Sequence, residues 1–129
     1  MNIFQSDGTK PIYVQIAEWI ENEILTEKLK TDEKVYSQYQ LAEMFNINPA
    51  TAGKGLSLLN EEEILYKKRG LGMFVAKGAK ERIVNKRKNE TLKQLIAELV
   101  LEADRLNIGE EELFEMIRIA RFGRKEGKK

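Results

Sequence analysis

The chain has no cysteine and no histidine among its 129 residues. Without cysteine it forms no disulfide, and without both residue types it lacks the usual ligands of zinc and haem. The commonest general base is missing as well, and the carboxylates fall in no recognisable catalytic context. No glycine-rich phosphate loop precedes a helix. We therefore expect no metal, no cofactor and no enzymatic activity.

Long apolar runs are also missing. No stretch reaches the roughly 18 apolar residues that suggest a membrane-spanning helix, and the first residues lack the basic and apolar segments of a secretion signal. Hydrophobic residues make up 42% of the chain and charged residues 33%, which suits a core under a well-solvated surface. We expect a cytoplasmic protein with no membrane partner, built as one ordinary domain or as a small domain with an oligomerising appendage.

A helix-turn-helix followed by a hairpin is predicted over residues 37–75. Ser37 and Gln40 have the spacing of a capping box at the start of a short helix, and Asn48 has the position of a cap for a second helix. Strand-like segments flank the basic turn at residues 67–72. This order of elements is that of a winged helix-turn-helix, which places its second helix in the major groove of DNA.

Amphipathic helices are predicted on both sides of this motif. Isoleucines recur every four residues over residues 12–24 and give the preceding helix one apolar face. After the motif, a long helix is predicted over residues 79–105, and a last helix begins near Glu110 and ends at Gly123.

The predicted fold is therefore mainly α with a small β-hairpin wing. Residues 1–78 would form a winged helix-turn-helix DNA-binding domain, in which residues 1–9 are a loose arm. Residues 79–129 would form a two-helix C-terminal extension for dimerisation or effector binding, which ends in a basic, frayed tail from residue 124.

Charge is unevenly distributed along the chain. Residues 1–78 carry nine Lys and Arg against eleven Asp and Glu, net −2, and residues 79–129 carry thirteen against ten, net +3. A negative first half argues against DNA binding unless its cations are clustered. Lys54 and the run Lys67–Arg69 do fall on the second helix and the hairpin, whereas many acids fall on the first helix. The local field matters more than the total charge.

Two groups of residues are the candidate functional sites. The predicted DNA contacts lie at the helix starts, on the second helix and at the hairpin tip, and they are Ser37, Tyr39, Asn48, Ala50, Thr51, Lys54, Lys67, Lys68, Arg69, Gly70 and Gly72. A solvated hairpin tip and helix caps without DNA contact are the alternatives. The predicted dimer seam is an apolar stripe, and its residues are Leu92, Ile96, Leu99, Ala103, Leu106, Leu113 and Ile117. A small-molecule pocket is the alternative there.

The pattern over residues 11–75 resembles the GntR family of bacterial transcription regulators. The matching pieces stand in order at the family's spacings, and they are Pro11–Ile16, Ser37, Leu41–Ala42, Asn48–Thr51, Leu59, Ile64–Leu65 and Arg69–Val75. The short two-helix tail is similar to that of the YtrA subfamily. The resemblance implies a homodimer that is joined through its terminal helices and often represses genes beside ABC transporters.

Several positions differ from the family pattern. An arginine that often contacts DNA is Tyr39 here, and the arginine of the second helix is Lys54, which lacks the bidentate fork that recognises guanine. At three positions where the family has glycine, this chain has Glu27, Asp32 and Glu63.

Two glycines interrupt the second helix. Gly53 and Gly55 would each weaken it by roughly 1 kcal/mol relative to alanine, unless a close backbone approach compensates. The spacing of Ala52, Leu56 and Leu59 predicts that Gly55 and Lys54 lie off the buried face.

Three hypotheses follow. The first is a homodimeric repressor of its own operon that binds a palindromic operator in double-stranded DNA. The second is a winged-helix dimer that has lost DNA specificity and acts as a protein-interaction module. The third is the sensing of an unidentified small-molecule effector, which could accompany the first.

Overall fold

The computed structural model describes residues 10–127. The loose arm predicted for residues 1–9 and the last two residues of the predicted tail lie outside this range. The chain forms two compact units, which divide between Lys86 and Arg87. The predicted boundary after residue 78 lies earlier in the chain than this division. The two differ because Ala79 and Ile83 pack in the core of the first unit.

The order of elements matches the predicted fold class. The helices and strands up to the division are α1 (Ile12–Leu25), α2 (Gln38–Phe45), α3 (Pro49–Glu61), β1 (Leu65–Lys68), β2 (Gly72–Val75) and α4 (Ala79–Arg87). A π-helical turn (Lys88–Leu92), α5 (Lys93–Arg105) and α6 (Glu110–Gly127) follow. A mainly α fold with a β-hairpin wing is confirmed.

The core of the first unit lies between α1, α2 and α3. The isoleucine stripe supplies Ile16, Ile20 and Ile24, all of which are buried, as the periodicity predicts. Each buried side chain of this size stabilises the fold by about 1.5–3 kcal/mol relative to an exposed one. Trp19 closes the edge of this core, where its ring packs edge-on against Phe45 with centroids 4.9 Å apart.

The prediction that Gly55 lies off the buried face of α3 is wrong. The residue is buried, and a Cβ atom there would lie 2.8 Å from the backbone oxygen of Tyr13 and 3.1 Å from a methyl carbon of Ile16. The backbones of α1 and α3 therefore approach too closely for any side chain. The periodicity of α3 alone could not reveal this contact, because it depends on the path of α1.

The hairpin is a two-stranded sheet, to which one further segment bridges at Lys34 and Phe74. β1 and β2 pair antiparallel, with Leu65 opposite Val75 and Lys68 opposite Gly72. The segment before α2 lies along the other edge of β2, since the Val35 amide donates to the Met73 carbonyl at 2.9 Å. This third segment attaches the hairpin to the rest of the unit.

Three exposed acidic residues have left-handed backbone conformations. The φ angles of Glu27, Asp32 and Glu63 are 64°, 68° and 62°. At these three positions the resemblance to the GntR family implies glycine. Non-glycine residues disfavour this region because their Cβ crowds the following carbonyl oxygen. Two of the side chains bond elsewhere, since Asp32 accepts from the Tyr66 hydroxyl at 2.7 Å and Glu27 pairs with a lysine.

The second unit exposes much of its apolar surface. Among the residues predicted for the dimer seam, Leu92, Ile96, Leu99, Leu106 and Ile117 are exposed, Leu113 is half-buried and Ala103 is buried. The Ile108 amide donates to the Ala103 carbonyl at 2.9 Å and closes the end of α5. The predicted end of the last helix at Gly123 is wrong. That glycine has no positive φ angle, so α6 continues through it to Gly127.

Candidate nucleic-acid interface

Local capping bonds hold the helix-turn-helix. The Gln40 amide donates to Ser37 Oγ at 3.1 Å while Gln40 Oε1 accepts from the Ser37 amide at 2.8 Å. Asn48 Oδ1 accepts from the Ala50 amide at 2.7 Å. Asn46, with a φ angle of 56°, ends α2. Ser37 and Asn48 are thus helix caps, as expected, and both remain exposed at the start of their helices.

The outer face of α3 carries short side chains. Ala50 and Ser57 are exposed, and Thr51 and Gly53 are half-buried. Lys54 lies on the exposed surface as predicted, but its ammonium lies over the Tyr13 ring of α1, 4.3 Å from the centroid. This cation–π contact holds the one cation of α3 against the first helix.

The two lysines of β1 lie on opposite faces of the hairpin, since side chains alternate along a strand. Lys67 is opposite Met73, on the face that turns toward α2 and α3. Lys68 is on the other face, where its ammonium lies 4.6 Å from the centre of the Phe74 ring. The sequence analysis predicts these lysines as one basic cluster, but in the structure they lie on opposite faces of the hairpin.

Two glycines shape the hairpin tip beside the exposed Arg69. Gly70 and Gly72 have φ angles of 77° and 116°, and the Leu71 amide donates to the Lys68 carbonyl at 2.8 Å to close the turn. Arg69 and Leu71 therefore project into solvent at the tip.

A hollow of about 270 Å³ lies between the start of α2, the middle of α3 and the hairpin. It collects four of the predicted DNA contacts, which are Ser37, Tyr39, Lys67 and Gly72. Among the other residues that line it, Lys34, Gln38 and Ser57 carry polar side chains that the sequence pattern did not indicate. The sequence could have indicated Gln38, because this residue directly follows the helix cap. Lys34 could not be predicted in this way, because its place at the hollow depends on how the segment before α2 lies against β2.

Acidic residues of the first unit form ion pairs with lysines of the same unit. The pairs are Lys10–Glu18 at 2.7 Å, Lys80–Glu27 at 2.9 Å, and Lys86 with both Glu21 and Glu62. Burial by itself lowers the pKa of Lys86, but the hydrogen bonds to its two carboxylates outweigh it and raise that pKa above its ordinary value. With Lys80, Arg82, Lys86 and Glu81 of α4 included, the first unit holds twelve Lys and Arg against twelve Asp and Glu, net zero. The hollow carries the cations Lys34 and Lys67.

A capped helix-turn-helix, a glycine-tipped hairpin and a cationic hollow between them define a winged helix-turn-helix DNA-binding protein. Among residues 10–127, every helix is too short or too polar to cross a bilayer. The same part of the chain holds no group of three or more acidic residues placed to bind a metal ion.

Comparisons with known proteins agree with this class. The chain is 30% identical over 122 residues to the HTH-type transcriptional repressor YtrA of Bacillus subtilis, across 95% of this chain and 93% of that protein. A GntR family transcriptional regulator from Listeria monocytogenes superposes with a TM-score of 0.70 at 31% identity, over 87% of this chain and 96% of the other. The structure of AraR(DBD) in complex with operator ORX1 superposes with a TM-score of 0.54 at 30% identity, over 59% of this chain and 95% of the other. No family model matches.

The chain therefore belongs to the GntR family of transcription regulators and is similar to YtrA along most of its length. It is a DNA-binding regulator of a non-enzymatic family.

Proposed function

We propose that this protein is a homodimeric repressor that binds a palindromic operator in its own operon, in the cytoplasm. The similarity to a protein named as a repressor supports the direction of regulation. The observation that carries the proposal is the hollow, where the start of α2, the outer face of α3 and Lys67 of the hairpin converge. Genes for an ABC transporter are the candidate targets that the YtrA-like tail suggests.

In this proposal α3 enters the major groove and the hairpin follows the flanking backbone. The short side chains at Ala50 and Ser57 allow the backbone of α3 to approach the base edges closely. Lys67 and Arg69 would bind phosphates, and Tyr39, which is 69% exposed, can donate its hydroxyl to another phosphate. Phosphate contacts position the protein, and base contacts select the sequence.

Dimerisation is proposed through the second unit. Its helices leave bulky apolar side chains such as Leu99 (41% exposed) and Phe122 (65% exposed) in contact with solvent. Exposed apolar surface on this scale is typical of an interaction site. Two-fold symmetry then requires operator half-sites about one helical turn apart, or a multiple of it.

The variant Leu99→Asp tests the dimer, because an aspartate in the seam would be desolvated without a partner. We expect a dimer mass for the wild-type protein and a monomer mass for Leu99→Asp in light scattering coupled to gel filtration. Lys93→Asp, an exposed charge change on the same helix, serves as the control and should stay dimeric. A monomeric wild-type protein at micromolar concentration would refute this part of the proposal.

The opposite orientations of the two β1 lysines supply the test of DNA binding. Fluorescence anisotropy with the protein's own upstream DNA and with a scrambled duplex, at several salt concentrations, gives affinity and salt slope. Lys67→Ala should weaken binding and lower the salt slope by about 0.9 for each phosphate that it leaves without a cation. Lys68→Ala is the matched control and should change both less, because its ammonium lies over Phe74 on the other face. Equal effects of the two variants would contradict the docking.

The second candidate is a winged-helix dimer that acts on partner proteins. The position of Lys54 over Tyr13 favours it, because the single cation of α3 is then held against the first helix instead of facing DNA. Binding of one sequence at least about 100-fold more tightly than random duplex would exclude this candidate. Effector sensing stays a prediction, and a thermal-shift screen of metabolites tests it.

A further inference from the structure

The side chain of Gln38 lies across α3 at Gly53. A Cβ atom on Gly53 would be 3.0 Å from Gln38 Oε1, 3.2 Å from Cδ and 3.4 Å from Nε2. All three amide atoms are thus nearly equidistant from the position of this Cβ atom, so the plane of the amide faces the helix. Gln38 occupies the space into which a side chain at position 53 would project.

Gly53 is not required by the packing of the backbone. At Gly55 the obstacle to a side chain is the backbone oxygen of Tyr13, whereas at Gly53 the nearest atoms all belong to the flexible end of Gln38. Gly53 also lacks a positive φ angle, so alanine could adopt its conformation. An alanine would strengthen the helix. The feature that a glycine preserves here is the position of the Gln38 amide.

The Gln38 amide is available to a ligand. Its polar atoms make no hydrogen bond to any residue in the described part of the chain. The side chain is half-buried at the wall of the hollow, together with Ser57 and Lys67. A glutamine amide carries one acceptor and two donor hydrogens, which match the N6 and N7 groups of adenine in the major groove.

We propose that Gln38, held over Gly53, reads an A·T base pair and is a main determinant of operator specificity. The inference rests on the proposed function, because it requires α3 to dock in the major groove. It relocates base recognition from α3, whose outer residues are short and whose lysine contacts Tyr13, to the first turn of α2.

The experiment uses the full-length protein and the upstream duplex that it binds most tightly. Each base pair is replaced in turn, and Kd is measured by anisotropy for the wild-type protein, Gln38→Ala, Gly53→Ala and the control Asn85→Ala. The control removes an exposed amide on α4. We expect one A·T position at which replacement weakens wild-type binding between about 5-fold and about 100-fold. Gln38→Ala and Gly53→Ala should both abolish that preference, and Asn85→Ala should retain it.

Gly53→Ala separates recognition from folding. It should raise the melting temperature by roughly 3 °C, because alanine favours the helix, while it reduces operator discrimination by displacing the Gln38 amide. Binding to scrambled duplex should stay within about 2-fold of the wild-type value, because phosphate contacts supply non-specific affinity. A variant that loses stability and all DNA binding together would contradict the proposed independence of the two effects.

Two negative results have different meanings. A wild-type preference that survives in Gln38→Ala would overturn the assignment of Gln38 and leave the proposed regulator intact. A wild-type protein that binds every duplex equally would refute sequence-specific regulation itself, and the assignment of Gln38 with it.

Discussion

Replacement of Glu63 by glycine should stabilise the protein. Glu63 follows the end of α3 with a φ angle of 62°, and its side chain is exposed. Its backbone carbonyl accepts a hydrogen bond from Arg82 at 3.1 Å, which any residue at this position would keep. The substitution therefore changes the backbone preference and the charge, and removes no interaction that depends on the carboxylate in the described residues.

The magnitude follows from two opposing terms. A non-glycine residue in the left-handed region costs about 1–2 kcal/mol, and glycine avoids this penalty. Glycine loses more conformational entropy on folding, which offsets roughly 0.5–1 kcal/mol of the gain. A net stabilisation of about 1 kcal/mol remains, and it corresponds to an increase in Tm of roughly 4 °C for a chain of this size.

Thermal unfolding followed by circular dichroism measures the effect, and Glu63→Gln is the matched control. Glutamine removes the charge and keeps the Cβ atom, so the difference between the two variants isolates the backbone contribution. Asn46→Gly should gain less, although Asn46 has a φ angle of 56°, because asparagine tolerates this region. If Glu63→Gly is no more stable than Glu63→Gln, the reasoning from backbone strain is refuted.

Gly55→Ala should destabilise the first unit by about 1–3 kcal/mol in urea unfolding, because the new methyl would clash with the Tyr13 carbonyl. Unchanged stability would contradict the close approach of α1 and α3. Lys86→Met should cost about 2–3 kcal/mol, because buried Glu21 loses its ion pair with Lys86, whose side chain is partly exposed. Stability equal to that of a Lys88→Met control would show that the pair contributes little. The raised pKa of Lys86 also predicts pH dependence. Its contribution is complete below the unfolded-state pKa of about 10.4 and is lost as pH rises through the higher folded-state value, so the wild-type protein should lose more stability than Lys86→Met in alkaline unfolding.

Some features were predictable because the atoms that form them are close together in the chain. The capping box joins Ser37 to Gln40, and the cap of α3 joins Asn48 to Ala50. The glycine hairpin and the isoleucine periodicity of α1 are equally local. Local chemistry was sufficient for the element order, and with it for the winged helix-turn-helix class.

Local patterns were misleading where chain neighbours have different surroundings. Gly53 and Gly55 are two residues apart, yet one faces a flexible amide and the other a backbone oxygen. Lys67 and Lys68 are adjacent, yet only Lys67 faces the hollow. Gly123 resembles a helix end in the sequence, but a glycine ends a helix only where the backbone turns left-handed.

The sequence by itself determined the order of the helices and the hairpin, because that order depends on hydrogen bonds and apolar spacing within a few residues. The tertiary structure alone decided which side chains share the candidate site. The contact of Gln38 with Gly53, the position of Lys54 over Tyr13 and the pairing of the segment around Val35 with β2 all join separate elements. Such contacts depend on how the backbones pack in three dimensions, which no local pattern of residues specifies.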